Sequence, residues 1–301
     1  MSPSDYCVPS PATIKNALET ASRYLDESGC FFGHGTDNAW DDAVQILFWV
    51  LGLDDDPGIE ILAETLEPDC VDRFQKAINL RASEKLPTAY ITGDAWFCGL
   101  KFEVNSSVLI PRSPIGELIQ NDYSPWIAAQ PETVLDLCCG SGCIGIAAAI
   151  FNESALVTVA DISSEAIAIA ERNIERFDLK GRVHTCESDL FQQLRGKRFD
   201  LILTNPPYVD FDDLSSMPKE YLHEPKIALG SGSDGLDITR RILSKAKDHL
   251  TADGALILEV GNSAEHLEQA YPEFPFTWIS FTQGGHGVCA IQRKELEEGA
   301  F

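Results

Sequence analysis

The chain has no run of apolar residues approaching the ~20 that a membrane-spanning helix needs. Its first residues, MSPSDYCVPS, have neither the basic nor the apolar region of a secretory leader. Basic charge is scarce: 23 Lys and Arg stand against 47 Asp and Glu, a net charge of −24. The longest basic clusters are pairs, Lys197-Arg198 and Arg240-Arg241, so no patch overrides a field that repels nucleic acid. Nine cysteines are present, but no two have CxxC spacing, which excludes the usual zinc signatures. Cys138, Cys139 and Cys143 cluster, and beside a glycine-rich turn they are expected to serve as small apolar packing residues. Together these absences predict a cytoplasmic enzyme or binding protein with reduced thiols, no metal, no membrane and no direct nucleic-acid partner.

What is present is the composition of a globular protein, 44% hydrophobic and 23% charged over 301 residues, enough for one large domain or two unequal ones. The first ninety or so residues read as helical. Ile14, Leu18, Ala21 and Leu25 fall at helical spacing, and TDNAWDDAVQILFWVLGL follows with Thr36 or Asp37 as its expected cap. DDDPG marks a break, and a further helical pattern runs from Cys70 to Leu80. WFCGLKFEVNSSVLIPR then alternates and predicts a hairpin turning at Asn-Ser-Ser. From Thr133 onward, strand and helix patterns alternate, which predicts a mostly parallel sheet covered on both faces. The tail reads as an antiparallel hairpin around Gly284-Gly285. The expected organisation is a helical domain over 1–93, a hairpin linker over 94–111, and a doubly wound α/β domain over 112–301. The tryptophans at 40, 49, 96, 126 and 278 are expected in the core.

Three groups of residues should meet at one end of that sheet. DLCCGSGCIGI supplies G-x-G-x-x-G (Gly140, Gly142, Gly145) between a strand and a helix, where backbone N–H groups can approach a ligand. The next strand ends at Asp161-Ile162, where a carboxylate would accept from ribose hydroxyls, and the third ends in Ser188-Asp189-Leu190. Asp136 lies in the turn itself, where it would repel a pyrophosphate and welcome a cation. That charge pattern favours S-adenosylmethionine, with its sulfonium and ammonium groups, over NAD.

The fourth strand ends in Asn205-Pro206-Pro207-Tyr208. Two prolines stop the strand and hold still two acceptors, the Asn205 side-chain oxygen and the Pro206 carbonyl. Two rigid acceptors suit a planar –NH₂, and the Tyr208 ring offers a stacking face. Nitrogen methylation follows as the expected chemistry, on an amide or on a nucleobase amine. His34, between two glycines, and Arg112, the last residue of IPR, invite roles in recognition, although Arg112 has equal reason to pair with a carboxylate.

DLCCGSGCIGIA, VADIS, ESDL and TNPPYVD together resemble the protein glutamine methyltransferases, which methylate the side-chain amide nitrogen of glutamine. FGHGTDNAWDDAVQ, AWFCGLKFEVNSSVLIPRSPIGELI and HEPKIALGSGSDGLDITRRIL are similar to the branch acting on large-subunit ribosomal protein three. The release-factor branch typically has Gly-Thr in place of Cys138-Cys139 and PRPDTE in place of PRSPIGE. The resemblance spans nearly the whole chain. It implies S-adenosyl-L-methionine as cofactor, held by Asp136, Cys138, Cys139, Gly140, Ser141, Gly142, Asp161, Ile162, Asp189, Leu190 and Asn205. It also implies an acceptor glutamine held by Asn205, Pro206, Pro207 and Tyr208, and a basic ribosomal protein as partner. A release-factor substrate and a nucleic-acid amine are the alternatives.

Overall fold

The computed structural model describes residues 7–8, 11–53, 57–127, 129–299 and 301. Most of the first ten residues and the start of the DDDPG break fall outside them. The chain gathers into two compact units: residues up to Ala95 with Pro218–His223, and Trp96–Met217 with Glu224–Phe301.

The first unit is helical. Its helices are α1 (Ile14–Glu27), α2 (Ala39–Leu51), α3 (Pro68–Ser83) and α4 (Thr88–Thr92). Thr13 caps α1 by accepting from the Asn16 N–H, and the buried face of α1 carries Ile14, Leu18, Ala21 and Leu25, as the spacing predicts. The cap of α2 is Asn38, not Thr36 or Asp37: its side chain accepts from the Asp41 N–H. Thr36 instead donates to Asp42 at 2.7 Å. Gly52, in the left-handed region, ends α2. Leu18, Leu25, Ile46, Leu47, Phe74 and Ile78 form the centre of the core.

A buried cation ties this unit together. Arg81 Nε reaches Asp42 at 2.7 Å, one terminal nitrogen reaches Glu220 at 2.9 Å, and the other donates to the Phe31 carbonyl at 2.6 Å. The three side chains are almost wholly inaccessible. Burial pulls the Arg81 pKa down, but Asp42 and the other partners outweigh it and hold the guanidinium above its usual range. His34 is buried, with its ring 4.4 Å from that of Tyr221.

A hairpin of β1 (Asp94–Phe97) and β2 (Leu100–Glu103) follows, with Trp96 the first residue of the second unit. Its turn is Cys98-Gly99 rather than Asn-Ser-Ser. Both residues have positive φ (52° and 75°), the geometry of a two-residue hairpin loop, and residues 104–114 form no strand. After α5 (Ile115–Gln120) come β3 (Thr133–Leu137), α6 (Cys143–Phe151), β4 (Leu156–Asp161), α7 (Ser164–Arg176), β5 (Val183–Glu187) and β6 (Phe199–Thr204). They are followed by α8 (Phe211–Ser216), α9 (Asp237–Ala246), β7 (Leu250–Glu259), α10 (Ala264–Ala270), β8 (Thr277–Trp278), β9 (Val288–Gln292) and α11 (Arg293–Glu298).

The seven strands β3–β9 form one sheet in the order β5-β4-β3-β6-β7-β9-β8, parallel through β7 and antiparallel at β9 and β8. Side chains alternate between two cores. Val134, Leu201, Leu203 and Ile257 enter one; Leu135, Leu137, Ile202, Leu256 and Leu258 enter the other. Each such burial stabilises by about 1.5–3 kcal/mol. The tail hairpin forms as expected from the sequence. The tryptophans differ: Trp40, Trp49 and Trp96 are 38%, 40% and 46% exposed, because each needs only one ring face against the protein. Among the described residues no helix is long and apolar enough to cross a membrane.

Candidate active site

The strand order reverses between β3 and β6. The chain runs outward from β3 through β4 to β5, then returns to the other side of β3. Open α/β sheets leave a crevice at that point, beyond the carboxyl ends of the strands. A cavity of about 1040 Å³, counted to its open mouth, lies there. Its walls come from the ends of four strands: Leu137-Cys138 after β3, Asp161 to Ser163 after β4, Ser188 to Leu190 after β5, and Asn205 and Pro207 after β6.

Of the residues singled out by sequence, Cys138, Gly140, Asp161, Ile162, Asp189, Leu190, Asn205 and Pro207 line this cavity. Asp136, Cys139, Ser141, Gly142, Pro206 and Tyr208 do not. The three glycines have different work. A Cβ on Gly140 (φ +54°) would meet open space, so the bare backbone faces the cavity. Gly142, at φ +77°, turns the chain into α6. A Cβ on Gly145 would stand 2.6 Å from Val159 and 2.8 Å from Asp136, so this glycine lets the helix approach the sheet.

Asp136 is fully buried beneath the turn, where one carboxylate oxygen accepts the Gly145 N–H at 2.7 Å. Its other oxygen has no hydrogen-bond partner among the described residues, and burial above all pushes its pKa up to about 7. It therefore acts on the cavity through the turn rather than by contact. Asp161 is fixed from behind by the N–H groups of Gly140 (2.9 Å) and Ser163 (3.0 Å). Each of its oxygens keeps a further lone pair, as recognition of two ribose hydroxyls needs. Asp189 is held by Arg241 at 2.7 and 2.8 Å and by Gln192 at 2.8 Å. Cys138 (φ +61°) and Leu190 (φ +50°) both occupy the left-handed region, so backbone strain is stored at the cavity wall. Burial pushes the thiols of Cys138, Cys139 and Cys143 upward, which keeps them protonated and apolar. No group of ligating side chains able to hold a metal ion occurs among the described residues.

The Asn205 amide, half-buried at the wall, makes no hydrogen bond to any described residue. Tyr208 is anchored at both ends: its hydroxyl donates to Glu259 at 3.2 Å and its carbonyl accepts from Ser263 at 2.7 Å. Sequence reasoning missed Glu259, Ser113 and Arg241, and left Arg112 undecided. Arg112 lines the cavity and grips the buried Glu224 bidentately at 2.6 and 2.7 Å, while Glu224 also accepts the Ile110 N–H. The partners are 112 residues apart, so no local pattern in the sequence links them.

A parallel sheet with a glycine turn, strand-end carboxylates and a proline-locked amide at its switch point is the architecture of a methyltransferase. The family model for the methyltransferase small domain matches residues 125–232. The ribosomal protein uL3 glutamine methyltransferase of Francisella tularensis is 43% identical over 94% of this chain and 91% of that protein. The one from Bordetella pertussis is 38% identical over 94% of this chain and 96% of that protein. The chain belongs to the family of ribosomal protein uL3 glutamine methyltransferases. Among solved structures, a methyltransferase from Pyrococcus furiosus is 20% identical with a TM-score of 0.47, covering 65% of this chain and 89% of that one. The strand order, not that distant likeness, defines the fold.

The cofactor of this class is S-adenosyl-L-methionine, and the residues present fit it. The open space before Gly140, the two-point fixation of Asp161 and the apolar wall of Ile144, Ile162 and Leu190 suit a nucleoside with a charged tail.

Proposed function

We propose that this protein methylates the side-chain amide nitrogen of a glutamine in ribosomal protein uL3. One observation carries the reading: an unengaged amide, Asn205, locked by two prolines at the cavity wall of a chain in this family. S-adenosyl-L-methionine supplies an electrophilic methyl group on a sulfonium. The Asn205 side-chain oxygen and the Pro206 carbonyl accept the two N–H groups of the substrate amide. That amide is a poor nucleophile because its lone pair is delocalised into the carbonyl. Acceptors aimed at its hydrogens stabilise the positive charge that develops on nitrogen as it attacks. Tyr208, anchored through Glu259 and Ser263, backs the acceptor amide with its ring. The surplus proton leaves to water. Holding both reactants in line contributes several kcal/mol more, about 7–11 kcal/mol at the ideal limit.

The helical segment 1–93 selects the partner, 94–111 links, and 112–301 performs the transfer. A net charge of −24 favours a basic ribosomal protein and disfavours RNA, and the reaction takes place in the cytoplasm. The test is transfer of labelled methyl to unmethylated uL3, to a release factor and to ribosomal RNA in parallel. Label on uL3 alone is expected. Label on the release factor keeps the chemistry and changes the substrate. Label on RNA overturns the reading.

A further inference from the structure

β7 ends in a buried carboxylate that the sheet does not require. Glu259 is 4% exposed at a strand end surrounded by Val288, Val260 and Leu258, where an apolar side chain would fill the space at lower cost. Burial above all pushes its pKa up to about 7, against the pull of Ser113, Tyr208 and Arg112.

Its two oxygens face different parts of the site. One accepts the Tyr208 hydroxyl at 3.2 Å; the other accepts the Ser113 hydroxyl at 2.5 Å. Ser113 Oγ in turn accepts the Ile115 N–H at the start of α5, so the segment Pro111–Ser113 is fastened there. Arg112 and Ser113 line the cavity. The residues after Glu259 continue the same seat. A Cβ on Gly261 would stand 2.5 Å from the Tyr208 ring, and the Ser263 hydroxyl donates to the Tyr208 carbonyl. Phenol, ring and carbonyl of Tyr208 are thus all held by the Glu259–Ser263 corner.

We propose that Glu259 is a positioning residue for methyl transfer, whose carboxyl group couples Tyr208 to Ser113 and so locks the acceptor-amide cradle against the Pro111–Ser113 wall. The inference rests on the proposed function for the identity of the acceptor, but not for the geometry. Glu259 touches neither reactant; it acts through Tyr208. A glutamine can make both links, accepting one hydroxyl proton and donating to the other hydroxyl oxygen, whereas leucine keeps the volume and makes neither.

The experiment is a mutant cycle on the full chain with uL3 as acceptor. Glu259→Leu is expected to lower kcat about 10²-fold, the scale of an ångström-sized misplacement, with cofactor affinity unchanged. Glu259→Gln should restore most of it. Tyr208→Phe should cost little more in the Glu259→Leu background than that variant already lost, because the link is already cut. Ser113→Ala, which leaves the carboxylate and its packing in place, should lower kcat in the same direction. Hydrogen exchange supplies a readout independent of substrate: amides of 205–209 should exchange faster in Glu259→Leu, while those of 135–142 should not. Unchanged kcat, multiplicative losses in the double variant, or unchanged exchange at 205–209 would each overturn the proposal. If uL3 is not methylated by the wild type, the proposed function fails, and the exchange comparison still decides the role of Glu259.

Discussion

Asn205 directly follows β6 and precedes Pro206 and Pro207. Two prolines after an apolar strand announce a rigid end, and the structure places the amide at the cavity wall with no hydrogen-bond partner among the described residues. Asn205→Ala is expected to abolish methyl transfer and leave cofactor affinity within about twofold, because only the acceptor amide loses a partner. Calorimetry alongside the transfer assay checks it; lost cofactor binding would contradict that division of roles. Glu259 and Ser113 were not readable, because a carboxylate at the end of an apolar strand looks like any solvent-facing residue until its burial is known. The sequence reads the Cys138 side chain as packing and, through the resemblance, places its backbone in the cofactor loop. Its positive φ makes a different expectation: left-handed backbone costs a residue with a Cβ roughly 1–2 kcal/mol, and glycine nothing. Cys138→Gly should therefore retain activity and raise stability by about 1 kcal/mol in urea unfolding, less the lost burial of the thiol and the greater freedom of the unfolded chain.

At the scale of elements, period-two and period-3.6 patterns located the strands and helices of the sheet, because local burial and global fold agree there. The first hairpin was misplaced for a physical reason. A cysteine with φ of 52° beside Gly99 does the work usually given to Asn-Gly, and sequence patterns carry no sign of it. The β3–α6 turn makes two predictions. Gly145→Ala drives a methyl group into Val159 and the Asp136 side chain and should cost about 1–3 kcal/mol, measured by thermal or urea unfolding. Asp136, with a pKa raised to about 7 from an ordinary 3.8, keeps in the folded state a proton that the unfolded chain has lost. Its protonation thus favours the fold at low pH, and stability should fall as pH rises from about 4 to 7, then level off, with a slope up to about 1.4 kcal/mol per pH unit. Glu259, also raised to about 7, contributes over much of the same window, so Asp136→Asn should lower the slope by about half rather than abolish it; an unchanged slope would show that Asp136 is ionised throughout.

The whole molecule divides less simply than its sequence. Pro218–His223 lies far along the chain yet groups with the helical unit, where Glu220 receives the Phe31 N–H and Arg81. Ion pairs between residues 139 apart leave no local signature, so no periodicity could have found them. Removing the Arg81 side chain strands two carboxylates without their cation, and Arg81→Ala should destabilise the helical unit by about 3–5 kcal/mol, as urea denaturation followed in that unit would show.

The central claim is that a proline-locked amide directs a methyl group to the side-chain nitrogen of a glutamine. Tandem mass spectrometry of uL3 after incubation with the protein and S-adenosyl-L-methionine tests it most directly. A single added methyl on a glutamine side chain, absent with Asn205→Ala, is the expected result. A methyl on any other residue type, or none while the cofactor still binds, would contradict it.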